Sequence, residues 1–243
     1  FATLAWLAGR TSRIELGTSV TVLPYRHPLL TARMAANIDR FSEGRLFLGV
    51  GVSWPRREFA ALGVPFHRRG SMTDEYLRVI KRAWTEDVIS MEGEHVSFEE
   101  VATGPAPVRK PHPPIWVGGS SAAAIRRAVR FGDAWHPINP TLNWLRETGL
   151  PGLRNAADRE GLPRPRFAPR IRLELTDRPL ADRRLGEGTT EQVHEDLAAL
   201  AALGAESVLF DTYAGRPSEQ RRPSADWEML DVLARQVVDV ESG

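Results

Sequence analysis

Cysteine is absent from this 243-residue sequence, which excludes disulfide bonds and catalysis by a thiolate. Net charge is nearly absent as well, because 32 Lys and Arg residues are balanced by 31 Asp and Glu residues to give a formal charge of +1. No nucleic-acid partner is therefore expected. No apolar run approaches the roughly 20 residues that a transmembrane helix needs, so no membrane partner is expected. The lack of cysteine also fits a reducing compartment, and the predicted location is cytoplasmic.

The chain also lacks the motifs of several enzyme classes. None of the six histidines is spaced like a pair of metal ligands on a helix, and no metal site is predicted. No Ser-His-Asp set and no P-loop can be identified. The first residue is Phe1, within an apolar segment that ends at Gly9. This start is interpreted as a cut through a domain and not as a signal peptide, which would carry an early positive charge.

Strand-like and helix-like segments alternate along the chain. Six segments rich in β-branched or apolar residues are predicted as strands, at residues 13–23, 46–50, 115–117, 133–138, 170–175 and 207–213. Such alternation is typical of right-handed βαβ units and a parallel sheet. Six strands fit either an open doubly wound sheet or a (β/α)8 barrel that lacks two βα units, and the pattern alone does not decide between them.

Two of the predicted helices have clear start signals. Pro28 suits the first turn of a helix, and Thr189 with Gln192 forms a capping-box pair. The helix at Pro28 carries larger apolar residues at intervals of three or four, which predicts that they form its buried face. These residues are Leu30, Met34, Ile38 and Phe41.

Other boundaries are predicted from single residues. A loop is expected from Gly51 to Gly70, followed by a helix that Ser71 caps. A hairpin is expected at residues 88–98. Residues 142–160 are expected to form a helix interrupted at its glycine and proline positions, and Asp226 is expected to cap the last helix.

The strongest local signal for function lies where the strand at 115–117 runs into Gly118 and Gly119, before a helix capped by Ser120 or Ser121. Glycine lets a ligand approach the backbone closely. Free N–H groups at a helix start bind phosphate, with help from the helix dipole. The alternative interpretation is a tight strand-to-helix turn with an ordinary serine cap.

Two other glycine-containing strands and one histidine are further candidates. Gly49 and Gly51 end a strand with Gly-x-Gly spacing, but the third glycine of a dinucleotide fingerprint is missing. Gly17 inside a strand predicts a bulge or a close contact with the backbone. His136 follows a predicted strand and either faces a barrel mouth, where it would be the candidate catalytic residue, or packs in the core.

Taken in order, several segments resemble the luciferase-like monooxygenase family, most closely its actinobacterial branch that depends on coenzyme F420. The segments are Thr-Ser-Arg-Ile-Glu-Leu-Gly-Thr-Ser-Val at 11–20, Arg-His-Pro at 26–28, Asp-Arg-Phe-Ser-Glu-Gly-Arg at 39–45, Leu-Gly-Val-Gly-Val-Ser-Trp at 48–54, Pro-Pro-Ile-Trp-Val-Gly-Gly-Ser at 113–120 and Gly-Asp-Ala-Trp at 132–135. The resemblance implies an α/β fold, a (β/α)8 TIM barrel of the bacterial luciferase-like type. It implies a single domain over residues 1–243, with an insertion at about 52–112 and with the first two barrel strands missing.

The resemblance also implies a cofactor site for coenzyme F420 or, alternatively, FMN. The cofactor phosphate would be held by Gly118, Gly119 and Ser120. The ring would lie against Thr18, Ser19 and Val20, where relatives often have a bulge with a non-proline cis peptide. The cofactor tail would be lined by Val50, Gly51, Val52 and Ser53. Some relatives carry an arginine near position 52 for the phosphate, and this chain has Val52 there.

The implied activity is hydride transfer between coenzyme F420 and a small organic substrate, with His136 as the candidate proton donor. The protein would supply position and electrostatics while the ring supplies the chemistry. The alternative is a monooxygenase that uses reduced FMN and O2. An alternative of another class is a catalytically silent flavin-binding protein. Relatives are often dimers, so a homodimer is among the expected assemblies.

Overall fold

The computed structural model describes residues 1–213 and 223–238. Its contacts divide the chain into two compact units, Phe1–Ala134 and Trp135–Gly243, which are described in turn. Within the described ranges, no helix combines the length and the apolar character needed to cross a bilayer. The single domain over residues 1–243 stays a prediction.

The first unit contains strands packed between helices. Its helices are α1 (Ala2–Arg10), α2 (Pro28–Phe41), α3 (Arg56–Ala61), α4 (Arg69–Thr85) and α5 (Ala122–Phe131). Its strands are β1 (Leu16–Gly17), β2 (Thr21–Val22), β3 (Leu46–Gly51), β4 (Val88–Glu92), β5 (Ser97–Ala102) and β6 (Ile115–Gly118). Short 3-10 turns lie at Leu23–Tyr25 and Phe66–Arg68.

Strand β3 is central in this unit, because it pairs in parallel with β1, β2 and β6. Leu46, Leu48 and Val50 alternate along β3, so they share one face of the sheet, and all three are fully buried there. β4 and β5 form the predicted antiparallel hairpin, so this prediction is confirmed. The predicted helix start at Pro28 is also confirmed, and the His27 side chain accepts a hydrogen bond from the Leu29 N–H there.

The second unit also alternates strands with helices. Its strands are β7 (Ala134–His136), β8 (Arg166–Phe167), β9 (Arg170–Arg172), β10 (Glu174–Leu175), β11 (Glu187–Gly188) and β12 (Leu209–Asp211). Its helices are α6 (Leu142–Trp144), α7 (Leu150–Glu160), α8 (Thr190–Ala202) and α9 (Pro223–Val232), with π-helical turns at Leu145–Gly149 and Leu233–Val237. β9 pairs in parallel with β12, and β10 with β11. The capping box of Thr189 and Gln192 is present at the start of α8, as predicted.

Three boundary predictions in the first unit are wrong. The strand predicted at residues 13–23 is two short strands separated by three residues. The loop predicted from Gly51 to Gly70 contains α3 and a 3-10 turn. Ser71 does not cap α4, which begins at Arg69, because its hydroxyl donates to the Arg68 carbonyl and contacts His95.

The predicted buried face of α2 is also wrong in part. Ile38 is buried, but Leu30 and Phe41 are 53% and 61% exposed. Small residues lie inward instead, and Ala32 and Ala35 are almost completely buried. Small side chains allow the helix backbone to approach its neighbours closely, so side-chain size decided the buried face more than hydrophobicity did.

Two helix predictions in the second unit are also wrong. The helical stretch at residues 142–160 has no break. Gly149 is the last residue of the π-helical turn, and Pro151 lies in the first turn of α7, where a missing N–H is tolerated. A Cβ atom at Gly149 would lie 2.7 Å from the Trp144 ring, so this glycine serves close packing. Asp226 lies inside the first turn of α9, which begins at Pro223.

Candidate functional site

Three strands of the first unit end at one edge of its sheet. Val22 at the end of β2 is in register with Gly51 at the end of β3, and Val50 is in register with Val117 of β6. Because these strands are parallel, the segments that follow them lie at the same carboxyl edge, where α/β enzymes place ligands. The structure therefore brings together two of the predicted groups, residues 50–53 and residues 118–120.

The third predicted group forms a bulge between β1 and β2. Gly17 is in register with Phe47, and Thr21 with Val50. Three residues on one strand thus face two on the other, which is a one-residue β-bulge at Thr18–Val20. The Ser19–Val20 peptide is cis, as the family resemblance implied. The Thr18 hydroxyl donates to the Gly49 carbonyl over 2.7 Å and ties the bulge to β3.

The glycines of β3 are explained by this bulge. A Cβ atom at Gly49 would lie 1.8 Å from the Thr18 carbonyl oxygen, and one at Gly51 would lie 2.7 Å from a methyl group of Val20. Alternate residues of a strand point to one face, so both glycines face the bulge. The Gly-x-Gly spacing is therefore explained by the close approach of the bulge to β3 and not by a dinucleotide-binding motif.

An aromatic pair lies further back along the same face of the sheet. Phe47 is two residues before Gly49, and its ring stacks on Trp116 with a centroid distance of 4.1 Å and an interplanar angle of 20°. Trp116 is the register partner of Gly49. The two rings therefore pack on each other beside Gly49, on the side of the bulge that precedes the carboxyl edge.

The turn between β6 and α5 contains two adjacent glycines, Gly118 and Gly119. Gly119 has φ +113°, a conformation that L residues with side chains rarely adopt. A Cβ atom there would also lie 3.0 Å from the Ala124 Cβ. Ser121 caps α5, since its hydroxyl accepts from the Ala124 N–H, while Ser120 is exposed. Of the two predicted caps, the structure therefore selects Ser121.

This turn fits a phosphate group. The first N–H groups of a helix have no acceptor inside it, and the helix dipole places partial positive charge at this end. The Ala124 N–H already donates to Ser121, while Gly118 and Gly119 add no side chain to the turn and Ser120 is exposed. The structure places Gly118, Gly119 and Ser120 at the turn between β6 and α5, and their binding of a phosphate stays a prediction.

Tyr25, which the sequence did not single out, lies in the 3-10 turn after β2 at the same edge. Its hydroxyl is 2.7 Å from a Glu58 carboxylate oxygen and 3.4 Å from the Ser53 hydroxyl. Its ring packs edge-to-face on Phe59 of α3, at a centroid distance of 5.0 Å. Its position two residues after the predicted strand at 13–23 is a local signal for a place at this edge, but it does not reveal the two distant partners.

The surroundings keep the Tyr25 phenol protonated. Burial raises the pKa of Tyr25, the Ser53 hydroxyl opposes this rise, and the Glu58 carboxylate adds to it. Ser53 itself has φ +61°, in the left-handed region. Val52 is half-buried beside it, and Trp54 is 82% exposed. Residues 52–54 therefore present both polar and apolar groups at the carboxyl edge.

His136 lies in the second unit, at the end of β7. Its side chain has no exposed surface, and its Nδ1 atom is 2.5 Å from the Ala168 carbonyl oxygen. Burial lowers the pKa of His136, the Ala168 carbonyl opposes this, and the charge of Arg170 lowers it further. The ring is therefore neutral at pH 7. Its role in catalysis stays a prediction.

The second unit contains a cavity of about 810 Å³ that sequence analysis did not predict. Four carboxylates contribute to its lining, which also includes threonine and methionine side chains. The acidic residues are Glu174, Asp177, Glu191 and Glu228. The negative charge of this lining disfavours a phosphate-bearing ligand. The turn after β6 is therefore the better candidate for binding an anion.

Curated relatives match about half of the chain. An FMNH2-dependent dimethylsulfone monooxygenase from Pseudomonas putida is 34% identical over 136 residues, which cover 55% of this chain and 37% of that protein. An uncharacterized protein from Mycobacterium tuberculosis is 38% identical over 127 residues, or 51% of this chain and 44% of that protein. The chain therefore spans less than half the length of these relatives.

Solved structures match nearly the whole chain. The monooxygenase RslO1 from Streptomyces bottropensis is 20% identical, with a TM-score of 0.80 over 99% of this chain and 82% of that one. The coenzyme F420-dependent tetrahydromethanopterin reductase from Methanopyrus kandleri is 14% identical, with a TM-score of 0.80 over 98% of this chain and 86% of that one. These matches confirm the predicted fold class, the (β/α)8 barrel of the luciferase-like type.

The family model of the luciferase-like monooxygenases matches residues 1–181, about three quarters of the chain. This range contains the bulge, the Gly-x-Gly strand and the turn before α5. The similar proteins include both F420-dependent and FMN-dependent enzymes, so the comparisons establish the family and not the branch. The chain belongs to the luciferase-like monooxygenase family.

Proposed function

We propose that the protein is an oxidoreductase that transfers hydride between coenzyme F420 and a small organic substrate. The observation that carries the proposal is that the glycine turn before α5 lies at the same sheet edge as the bulge and Ser53. A cofactor with a flat ring and a phosphate at opposite ends of a flexible chain has groups that match these features. An acidic cavity or a buried histidine offers no such match.

Each predicted segment contributes in a different way. The turn at Gly118–Ser120 would hold the phosphate through backbone N–H groups and the Ser120 hydroxyl. The bulge at Thr18–Val20 would support the ring, since the Thr18 hydroxyl and the close approach to Gly49 hold its backbone against β3. Residues 50–53 would line the chain between them, and the valines there exclude water. Reduced F420, when bound, would supply the hydride, and these segments would orient its ring towards the substrate.

A second candidate function is a monooxygenase that uses reduced FMN and O2. The same turn and bulge serve it equally well. The match to an FMNH2-dependent enzyme of 34% identity favours this candidate. Val52 favours F420, because some relatives carry an arginine there for the phosphate and this chain has none at that position.

Cofactor titration separates the two functions. The purified chain would be titrated with F420 and with FMN, in oxidised and reduced forms, and the dissociation constants compared. Tighter binding of F420, with no O2 uptake when reduced FMN is added, supports hydride transfer. Rapid O2-dependent oxidation of bound reduced FMN supports the monooxygenase. Failure to bind either cofactor would refute both functions.

A matched pair of variants tests the site itself. Gly119→Ala places a side chain in the proposed phosphate turn. Gly63→Ala adds the same methyl group at another glycine of positive φ, where no atom lies within 4 Å of the new Cβ. Only Gly119→Ala is expected to weaken binding of the phosphate-bearing cofactor.

A further inference from the structure

Tyr25 connects the loop after β3 to the first turn of α3. Its hydroxyl lies between the Ser53 hydroxyl at 3.4 Å and the Glu58 carboxylate at 2.7 Å. Ser53 belongs to the proposed cofactor site, whereas Glu58 is exposed on the outer side of α3. The phenol therefore couples a residue of the site to a negative charge outside it.

The chemistry of the three groups sets the direction of their hydrogen bonds. A protonated phenol has one O–H to donate, and an ionised carboxylate only accepts. The shorter contact to Glu58 takes the Tyr25 proton, because a hydrogen bond to a charged acceptor is the stronger one. The Ser53 hydroxyl must then donate to the Tyr25 oxygen. With its proton used in this way, the Ser53 oxygen can act towards a ligand only as a hydrogen-bond acceptor.

A hydroxyl in this state selects its ligand. An oxygen that can only accept repels phosphate oxygens and attracts a neutral O–H donor. The Glu58 charge behind Tyr25 acts in the same direction, since it adds negative potential at Ser53. The chain between ring and phosphate in both F420 and FMN is a polyol with several hydroxyl groups. Ser53 is thus suited to the polyol and unsuited to the phosphate.

We propose that Ser53 accepts a hydrogen bond from a hydroxyl group of the cofactor's polyol chain, and that Tyr25 is the positioning residue that orients Ser53 for it. This inference rests on the proposed function, because it requires that a flavin or deazaflavin occupies the carboxyl edge. It holds for F420 and for FMN alike, because the two share the polyol.

The surrounding packing makes a clean test practicable. The Tyr25 ring is held edge-to-face by Phe59, which has no exposed surface. Tyr25→Phe therefore removes the hydroxyl and leaves the ring in place. Ser53→Ala removes the other end of the contact. Tyr76→Phe makes the same chemical change at a buried tyrosine of α4 that takes no part in the contact between Tyr25 and Ser53, and it is the control.

The experiment measures dissociation constants for three oxidised flavins by fluorescence quenching, alongside melting temperatures. FMN has both polyol and phosphate, riboflavin has only the polyol, and lumiflavin has neither. Loss of one neutral hydrogen bond should weaken FMN and riboflavin binding about fivefold in Tyr25→Phe and in Ser53→Ala. Lumiflavin binding should not change, and Tyr76→Phe should bind all three flavins like the wild type. The double variant should lose no more than either single variant, because both remove one interaction.

Other outcomes separate this inference from the function it rests on. If wild type binds FMN but both variants bind FMN and riboflavin within twofold of wild type, the inference is overturned and the proposed function stands. A loss for FMN alone would assign Ser53 to the phosphate and overturn the inference. An equal loss for lumiflavin would show that Tyr25 acts only on the fold of the loop. If wild type binds none of the flavins and no F420, the proposed function itself fails.

Discussion

Gly119→Ala is the perturbation that most directly tests the proposed phosphate site at the turn before α5. The backbone there has φ +113°, and holding alanine in such a sparsely populated region costs about 1–3 kcal/mol. The new Cβ would also lie 3.0 Å from the Ala124 Cβ, on the first turn of α5. The turn is therefore expected to shift, which withdraws backbone N–H groups from the anion.

The expected loss of affinity follows from the bonds involved. A hydrogen bond to a charged group contributes about 1.5–3 kcal/mol, so losing one weakens FMN binding roughly 10-fold to 100-fold. Riboflavin, which has no phosphate, should bind Gly119→Ala almost as it binds wild type. Isothermal titration calorimetry with FMN and riboflavin measures both values, and Gly63→Ala controls for the cost of alanine at positive φ. Unchanged FMN affinity in a folded Gly119→Ala variant would refute the phosphate assignment.

Three further predictions concern the scaffold and the buried histidine. Glu75 is buried and accepts hydrogen bonds from the N–H groups of three successive residues in the β4–β5 turn. Glu75→Ala should therefore lower the free energy of unfolding, measured by urea titration, by roughly 3 kcal/mol. A decrease below about 0.5 kcal/mol, which is typical of surface substitutions, would contradict this. Gly49→Ala should disrupt the bulge, because its Cβ would overlap the Thr18 carbonyl, and we expect loss of flavin binding together with a lower melting temperature; normal binding would show that the bulge is dispensable. Because burial lowers the pKa of His136 below its usual 6.5, the unfolded chain takes up protons first, so stability is retained above about pH 6.5 and falls as the pH drops below it. Urea midpoints measured from pH 7.5 down to about 5 should fall less in His136→Gln than in wild type, and parallel curves would contradict the assignment.

The sequence predicts the parallel architecture and most of the site, because both depend on local signals. A buried apolar strand such as β3 has a distinctive composition, and a glycine turn followed by a serine cap is a contiguous pattern. The bulge was predicted from Gly17 and from the family resemblance. The register of the strands then places these segments at one edge, which the order of elements already implied.

The errors arise where tertiary packing overrides local preference. The apolar periodicity of α2 favoured Leu30 and Phe41, but close packing placed alanines inside instead. Gly149 looked like a helix breaker, and its real role is to make room for a tryptophan ring. Tyr25 was missed because its partners Ser53 and Glu58 are about thirty residues away in sequence, and no local pattern reports such a contact.

The bulge and the two glycines of β3 form one steric unit that is split between distant parts of the chain. Any attempt to transplant this proposed ring-binding surface into another barrel, or to exchange it among relatives, must move residues 17–21 together with residues 49–51. A chimera that carries one segment alone would set a side chain against a carbonyl oxygen. The two segments should therefore be exchanged together in any engineered chimera.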